Sequence, residues 1–205
     1  MFQMENKSIL MSIQPQYVAK ILNGEKTIEI RKKFPKDYVG WVYLYCTKGK
    51  EYLFKDTYVM SGKEGYFLTK CGDVNFLNSK VVARFWCDKV EEINSYKHWN
   101  SDCDYDIHFE TETLYYDKLL EKSCLNNQQL EDYLEFNGYA IHISKLEVFD
   151  KPKDIKKFKH KKIYRNCNKC PYRDFEYKCR QLPNCIETLN LKHAPQSWCY
   201  IEDTL

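Results

Sequence analysis

Short runs of alternating apolar and polar residues occur along the whole chain and predict several β-strands. A period of two places one face of a strand against a core and the other toward polar surroundings. The candidate strands cover residues 8–13, 27–31, 41–47 and 139–149, and residues 79–93 predict one long, possibly bent strand. The polar region 48–78 has room for an extra hairpin, whereas residues 95–118 are acidic and aromatic with no clear period.

Two segments show helical spacing instead. The first begins at Pro15, which suits the first position of a helix, and ends before Gly24, which suits the left-handed position after one. Its apolar face consists of Tyr17, Val18, Ile21 and Leu22. The second covers residues 127–136, ends at Asn137-Gly138, and has an apolar face of Leu130, Tyr133 and Leu134.

The order of these elements indicates a fold class. Five or so strands with two or more short helices, in no regular β-α-β-α alternation, predict an α+β fold built on a small β-barrel. We expect a barrel domain over residues 1–150, a basic linker over 151–166 and a cysteine-rich appendage over 167–205.

Composition supports a β-rich globular chain without a membrane span. Of 205 residues, 43% are apolar, and the chain contains 17 Tyr and 11 Phe. The longest apolar run, residues 41–46, is far shorter than the roughly 18 residues of a transmembrane helix. With no export signal near residue 1, we expect a cytoplasmic protein with reduced thiols and no membrane contact. The scattered cysteines are then small buried apolar residues: Cys46, Cys71, Cys87, Cys103 and Cys124.

Charge is unevenly distributed along the chain. The net charge of +3 decides nothing, but residues 145–169 contain ten Lys or Arg against three acids. Residues 101–122 contain seven acids against two Lys. A basic stripe suggests a phosphate-bearing partner, although a solvated charged connector would have the same composition.

The C-terminal segment is rich in cysteine. A Cys-x-x-Cys pair presents two thiolates on one tight turn, and two later sulfurs would complete a tetrahedral zinc site. We expect a structural Zn²⁺ held by four of five cysteines: Cys167, Cys170, Cys179, Cys185 and Cys199. Cys167 and Cys170 form the first pair, and the second comes from the other three. A disulfide-stapled tail and a redox Cys-x-x-Cys are the alternatives.

The octapeptide at residues 24–31, GEKTIEIR, carries a recognisable signature. It follows a predicted helix, opens a predicted strand, and resembles the G-x-K-x-x-E-x-R motif of the ASCH superfamily, whose members resemble PUA domains. Segments 12–17, 80–85 and 139–143 occur in the expected order, so the resemblance covers roughly residues 8–150. The tail at residues 194–200, APQSWCY, is similar to the ending of ASCH proteins of phages and prophages.

The resemblance implies a pseudo-barrel with a cleft lined by the signature residues. It also implies RNA binding, and in some members removal of an acetyl group from N4-acetylcytidine or cleavage of RNA. In the amidohydrolase members a Thr lies three residues after the Lys. Here that position is Glu29, and the downstream carboxylate falls near Glu121 or Glu131. This departure weakens the deacetylase interpretation.

The signature residues themselves suggest base recognition. Alternation along the strand puts Glu29 and Arg31 on one face, where a carboxylate and a guanidinium can pair. Glu29 could accept from an exocyclic amine, Arg31 could bind phosphate or a purine edge, and Lys26 could neutralise a phosphate or polarise a carbonyl. Lys32 would extend a basic groove. The alternative for Glu29 and Arg31 is a plain surface salt bridge.

Three functions follow from these observations. The first is binding of RNA or a nucleotide in a cleft formed by Lys26, Glu29 and Arg31. The second is an enzyme that uses the same cleft, with Lys26 and Glu29 as an acid–base pair, on a modified nucleoside or on RNA. The third is a protein-interaction factor whose contact surface is the acidic segment 101–122.

Overall fold

A computed structural model describes residues 7–56, 64–70, 76–99, 105–164 and 185–202. These residues form thirteen strands: β1 (Lys7–Ile13), β2 (Ile28–Arg31), β3 (Gly40–Cys46), β4 (Tyr52–Asp56), β5 (Gly65–Thr69), β6 (Lys80–Cys87), β7 (Val90–Trp99), β8 (Tyr105–Glu110), β9 (Gly138–His142), β10 (Ser144–Lys153), β11 (Lys159–Tyr164), β12 (Cys185–Asn190) and β13 (Trp198–Glu202). They also form a short 3-10 helix and three α-helices: α1 (Pro15–Leu22), α2 (Tyr116–Ser123) and α3 (Asn127–Leu134). The described part is therefore mostly β, in agreement with the predicted α+β class.

Two larger sheets organise the molecule. The five-stranded sheet has the order β10-β6-β3-β1-β13, and the four-stranded sheet has the order β2-β9-β7-β8. Only the β1–β3 pair within these sheets is parallel, and the other pairs of described strands are antiparallel. Strands β4 and β5 form a separate hairpin, as do β11 and β12.

The connection from β1 to β2 follows the sequence prediction. Pro15 occupies the start of α1, where its missing N–H is not needed for a helical hydrogen bond. Gly24 has φ of +75°, the left-handed conformation predicted for the residue that follows the helix. Val18, Ile21 and Leu22 are buried, and Tyr17 is partly buried. These features bring β2, and with it the signature residues, back across the end of β1.

Three apolar clusters support the two sheets. One lies between α1 and the five-stranded sheet, with members Ile9, Met11, Val18, Ile21, Val42, Leu44 and Phe85. The second packs the four-stranded sheet against α2 and α3, with members Ile28, Ile30, Ile93, Leu119, Leu130 and Leu134. The third covers the opposite face of the five-stranded sheet, with members Leu10, Tyr43, Val81, Ile155, Phe158, Leu191 and Ile201.

Two predicted strands are each divided in the structure. The prediction of one strand over residues 79–93 is wrong, because β6 ends at Cys87 and β7 begins at Val90 in the other sheet. The strand predicted over residues 139–149 is likewise two strands, β9 and β10, separated at Ile143. At both breaks the chain passes from one large sheet to the other, which lets two sheets share continuous sequence.

The described residues of the segment without a clear period also form regular elements. Residues 95–118 include the end of β7, all of β8 and the start of α2. The hairpin expected within residues 48–78 is present as β4 and β5.

The C-terminal residues contribute to the main sheet. Strand β13 pairs with β1, with Cys199 opposite Leu10 and Trp198 opposite Met11. The region 151–166, predicted as a linker, contains the end of β10, the 3-10 helix and β11. Cys167, Cys170 and Cys179 lie outside the described residues, so the proposed division at 166 stays a prediction. No helix in the described ranges is long and apolar enough to cross a bilayer.

Candidate functional site

A cavity of about 480 Å³ lies where the ends of β1 and β2 meet α1, α3 and the segment before β13. Lys26, Glu29 and Arg31 all line it. The remaining wall contains hydroxyl, amide and aromatic side chains, among them Ser12, Tyr17, Thr47, Gln129, Tyr133, Gln196 and Ser197. Four separated parts of the chain therefore converge on the signature residues.

The three signature side chains form a buried row of charge. Lys26, Glu29 and Arg31 are 2%, 6% and 8% exposed. One oxygen of Glu29, Oε2, lies 3.4 Å from Lys26 Nζ, and the other, Oε1, lies 3.0 Å from Arg31 Nη2. The pairing of Glu29 with Arg31 agrees with the strand alternation. The alternative of a surface salt bridge is wrong, because the pair is covered on both sides of β2.

Lys26 is positioned by the end of α2. Its amine donates to the Ser123 carbonyl at 2.6 Å and lies 5.5 Å from the centre of the Tyr17 ring. Burial lowers the pKa of Lys26 below its usual value, and the neighbouring carboxylate of Glu29 opposes that shift without cancelling it. The amine is therefore easier to deprotonate than an exposed lysine.

Arg31 joins β2 to β1 and to the C-terminal segment. Nη2 donates to the Ser12 carbonyl at 2.8 Å, and Nη1 makes a long contact of 3.5 Å to Ser197 Oγ. Nε is buried and has no hydrogen-bond partner among the described residues. A buried donor without an acceptor costs free energy, so this N–H is an unsatisfied donor within the site.

The helix α3 supplies the opposite wall. Its N-terminus carries a capping box, in which Asn126 accepts from the Gln129 N–H and the Gln129 side chain accepts from the Asn126 N–H. This cap fixes Gln129 at the cavity. Tyr133, one turn later, is 39% exposed and also lines the cavity, although its spacing predicted a place in the core.

The segment before β13 completes the site. Ser12 N–H donates to the Ser197 carbonyl at 2.9 Å, and Ser12 Oγ donates to the Pro195 carbonyl at 2.6 Å. Trp198 anchors this segment, since its Nε1–H donates to the Lys33 carbonyl at 2.7 Å and its ring packs edge-on against Phe34. Sequence reasoning did not assign Ser12 or Ser197 to the site, because residues 166 to 183 positions apart in the chain form these contacts.

Other predicted site residues lie elsewhere. Lys32 is exposed and pairs with Glu135 at 2.5 Å, and it does not line the cavity. Of the two candidate downstream carboxylates, Glu121 pairs with Lys118 on the surface, and Glu131 accepts from Asn127 within α3. Neither lines the cavity. Thr27 is exposed.

The zinc ligands are described only in part. Cys199 lies in β13, packs against the third apolar cluster, and has a thiol pKa raised to about 11 by burial. The backbone of Cys185 pairs with Tyr164. Within the described ranges no three His, Cys, Asp or Glu side chains cluster in a manner that could hold a metal. With Cys167, Cys170 and Cys179 outside those ranges, the zinc site stays a prediction.

A second polar cluster lies beneath the loop that follows β8. Glu91, buried in β7, accepts hydrogen bonds from Thr111 and Thr113 and pairs with Lys89. Burial by itself raises the pKa of Glu91, but these hydrogen bonds and the positive charges outweigh it and lower the pKa to about 2. The Thr113 hydroxyl donates to Glu91 Oε1 at 2.5 Å. The cluster fastens the loop to the four-stranded sheet and does not line the cavity.

Comparison with known proteins shows the fold. No protein-family model and no curated protein sequence matches this chain. The chain is similar in structure to "ASCH from Zymomonas mobilis", with a TM-score of 0.50, 12% sequence identity, and coverage of 97% of this chain and 90% of that one. Two crystal structures of mutant forms of the same protein give TM-scores of 0.49 and 0.47, also at 12% identity. The chain therefore has an ASCH-type fold.

Proposed function

We propose that the cavity binds a single nucleotide of an RNA strand. The observation that carries this proposal is the buried row of Lys26, Glu29 and Arg31, which keeps donors and an acceptor directed at one small space. Removing three charges from water costs several kcal/mol per ion, and the pairing and hydrogen bonds within the row offset this cost only in part, so a purely structural role would be an expensive arrangement. A polar ligand edge would use the hydrogen-bonding capacity that the row leaves open.

The size and lining of the cavity suit a nucleoside. A volume of about 480 Å³ lies within the usual range of roughly 300–1,000 Å³ for small-molecule sites. Tyr17 and Tyr133 offer aromatic surface on which an unstacked base can lie, as in most sequence-specific recognition of single-stranded RNA. Gln129 and Gln196 add amides that can donate and accept.

Phosphate contacts would come from exposed lysines outside the cavity lining. Exposed lysines lie in β10, in the 3-10 helix and at the start of β11, namely Lys145, Lys151, Lys156, Lys157 and Lys159. We assign a phosphate contact to Lys32 as well, which would require it to leave Glu135. Such contacts release counterions, so the affinity for RNA should fall steeply as salt increases.

RNA binding by a cavity variant tests this proposal. Wild type and the double variant Lys26→Ala/Arg31→Ala are titrated with a labelled single-stranded RNA at two salt concentrations. We expect salt-sensitive binding by wild type and a loss of at least about tenfold in the double variant. Thr27→Ala, which changes an exposed side chain of the same segment, is the matched control and should bind as wild type does.

The folding of the double variant needs its own control, because it leaves Glu29 buried with neither cation. Circular dichroism and thermal unfolding identify a variant that has lost its structure. Arg31→Lys, which keeps a positive charge but removes the guanidinium, then replaces the double variant in the same titration. Equal RNA affinity in wild type and a folded cavity variant would overturn the proposal.

The second candidate is a hydrolase acting on a modified nucleoside or on RNA in the same cavity. The observation that favours it is the lowered pKa of Lys26 beside Glu29, since amines with depressed pKa serve as bases or nucleophiles. A hydroxyl nucleophile would have to come from Ser12, Thr47 or Ser197, because Thr27 is exposed.

Incubation with RNA and with N4-acetylcytidine, followed by analysis of the products, tests this candidate. Turnover that disappears in a folded Glu29→Gln variant would support it. The absence of any product from the wild-type protein under conditions where RNA binds would leave binding as the function.

A further inference from the structure

The order of hydrogen-bonding groups along the cavity wall defines a pattern. Lys26 and Arg31 lie on opposite sides of Glu29, each bonded to a different carboxylate oxygen. The wall therefore presents a donor, an acceptor and a donor in sequence. The two flanking contacts of 3.4 and 3.0 Å keep all three groups together along a short row.

Each of the three groups can form further hydrogen bonds beyond those it makes within the protein. An ammonium has three N–H bonds, and Lys26 directs two of them to Ser123 and Glu29. A carboxylate can accept about four hydrogen bonds, and Glu29 accepts from its two cationic neighbours. Arg31 Nε is buried without a partner among the described residues, and Nη1 has only its long contact to Ser197. The row can thus accept one ligand N–H and donate to a ligand acceptor on either side of it.

From this pattern we propose that the base bound in the cavity is uracil. The inference rests on the proposed nucleotide-binding function and specifies its ligand. The Watson–Crick edge of uracil presents a carbonyl, an N–H and a carbonyl, which is the complement of the wall formed by Lys26, Glu29 and Arg31. The N3–H of the base donates to Glu29, and the two carbonyl oxygens accept from Lys26 and Arg31.

The other RNA bases do not complement the wall. Cytosine presents a ring acceptor where Glu29 needs a donor, and an amine where a cation needs an acceptor. Guanine matches at its carbonyl and N1–H, but its exocyclic amine opposes the second cation. Adenine presents a ring acceptor to Glu29 with an amine beside it. A buried site built for hydrogen bonds discriminates strongly against ligands that leave its groups unpaired.

Homopolymeric RNA separates these possibilities. Single-stranded oligonucleotides of U, C and A with equal length, and a U oligonucleotide carrying N3-methyluridine, compete with a labelled RNA for the wild-type protein. We expect oligo-U to bind at least about tenfold more tightly than oligo-C or oligo-A. Methylation at N3 removes the central donor and places a methyl group against Glu29, so it should weaken binding by a similar factor. Oligo-dT carries the same base edge and shows whether the sugar matters.

The protein variant Glu29→Gln provides a second test of the same proposal. It removes the carboxylate while preserving side-chain size, and it should reduce the preference for oligo-U over oligo-C by about tenfold. Thr27→Ala should leave the preference unchanged. If Glu29→Gln proves unfolded, the N3-methyluridine comparison with wild type still decides the question.

The outcomes distinguish the two proposals. Equal affinities for all oligonucleotides, a preference for another base, or indifference to N3-methylation would overturn the assignment of uracil while RNA binding stands. Absence of binding to every oligonucleotide would overturn both. Preference for oligo-U together with sensitivity to N3-methylation supports uracil recognition, and equal binding of oligo-dT would extend it to DNA.

Discussion

Glu29 holds two buried cations in place at once. Its two oxygens contact Lys26 and Arg31, which are themselves bonded to carbonyls of Ser123 and Ser12. This one side chain therefore ties β2 to the end of α2 and to β1. Removing one member of a buried charge network is costly mainly because it leaves the others uncompensated.

Replacing Glu29 with Ala should therefore destabilise the protein strongly. We expect a loss of about 3–5 kcal/mol in the free energy of unfolding, measured by urea denaturation. The matched control is Glu135→Ala, which breaks the exposed pair with Lys32 and should leave the urea midpoint almost unchanged. Similar midpoints for the two variants would show that the buried row contributes little to stability.

Glu91 makes the free energy of unfolding depend on pH below about pH 4.5. Its pKa is about 2 in the folded chain and about 4.5 in the unfolded chain, so the folded state holds fewer protons between these values. The stabilisation, at most about 3 kcal/mol, is complete above about pH 4.5 and is lost as the pH falls toward 2.

The variant Glu91→Gln tests this dependence. It should be less stable than wild type at pH 7 and should lose less stability between pH 4.5 and 2. Burial also lowers the pKa of His142, so acid should begin to destabilise the fold below pH 6.5 in both proteins. Parallel stability curves for wild type and Glu91→Gln below pH 4.5 would contradict the assignment.

At the scale of elements, α3 holds one wall of the cavity through its N-terminal cap. Asn126→Ala removes the side-chain acceptor for the Gln129 N–H and should cost about 1 kcal/mol of stability. The control is Gln128→Ala, which affects only an exposed contact to Asp132 in the same helix. Thermal unfolding of both variants checks the difference, and equal melting temperatures would show that the cap is not stabilising.

The sequence predicted elements best where local signals were strong. Pro15 and Gly24 set the limits of α1, and the alternation over residues 27–31 identified β2 and its two faces. The strand breaks were missed because tertiary hydrogen bonds define them. The N–H of His142 donates to Lys89, and that of Ile143 donates to Thr27, contacts that no local pattern encodes.

Only the wall of the candidate site that β2 and the residues before it form could be predicted from the sequence. Lys26, Glu29 and Arg31 came from a motif in eight consecutive residues, and the structure brings all three to one cavity. Gln129 and Tyr133 came from a helix whose spacing indicated only core packing. Ser197 reaches the site because β13 pairs with β1 from the far end of the chain.

At the scale of the whole molecule, the C-terminal strand returns to the main sheet after the cysteine-rich segment. We propose that zinc bound by four of the five C-terminal cysteines stabilises this segment. Elemental analysis of the purified protein should give about one zinc per chain. Cys170→Ser should lose the metal, whereas the control Cys124→Ser, a free cysteine beside α2, should retain it. Zinc far below one per chain in wild type would exclude the site.

The most direct test of the central claim maps where RNA contacts the protein. A short single-stranded RNA is titrated into isotopically labelled protein, and changes are followed by NMR. We predict that the largest shifts occur at the Arg31 Nε–H and at the backbone amides of Gln129, Tyr133 and Ser197, which surround the cavity. Shifts confined to the exposed lysines of residues 145–159, with the cavity signals unchanged, would contradict the account.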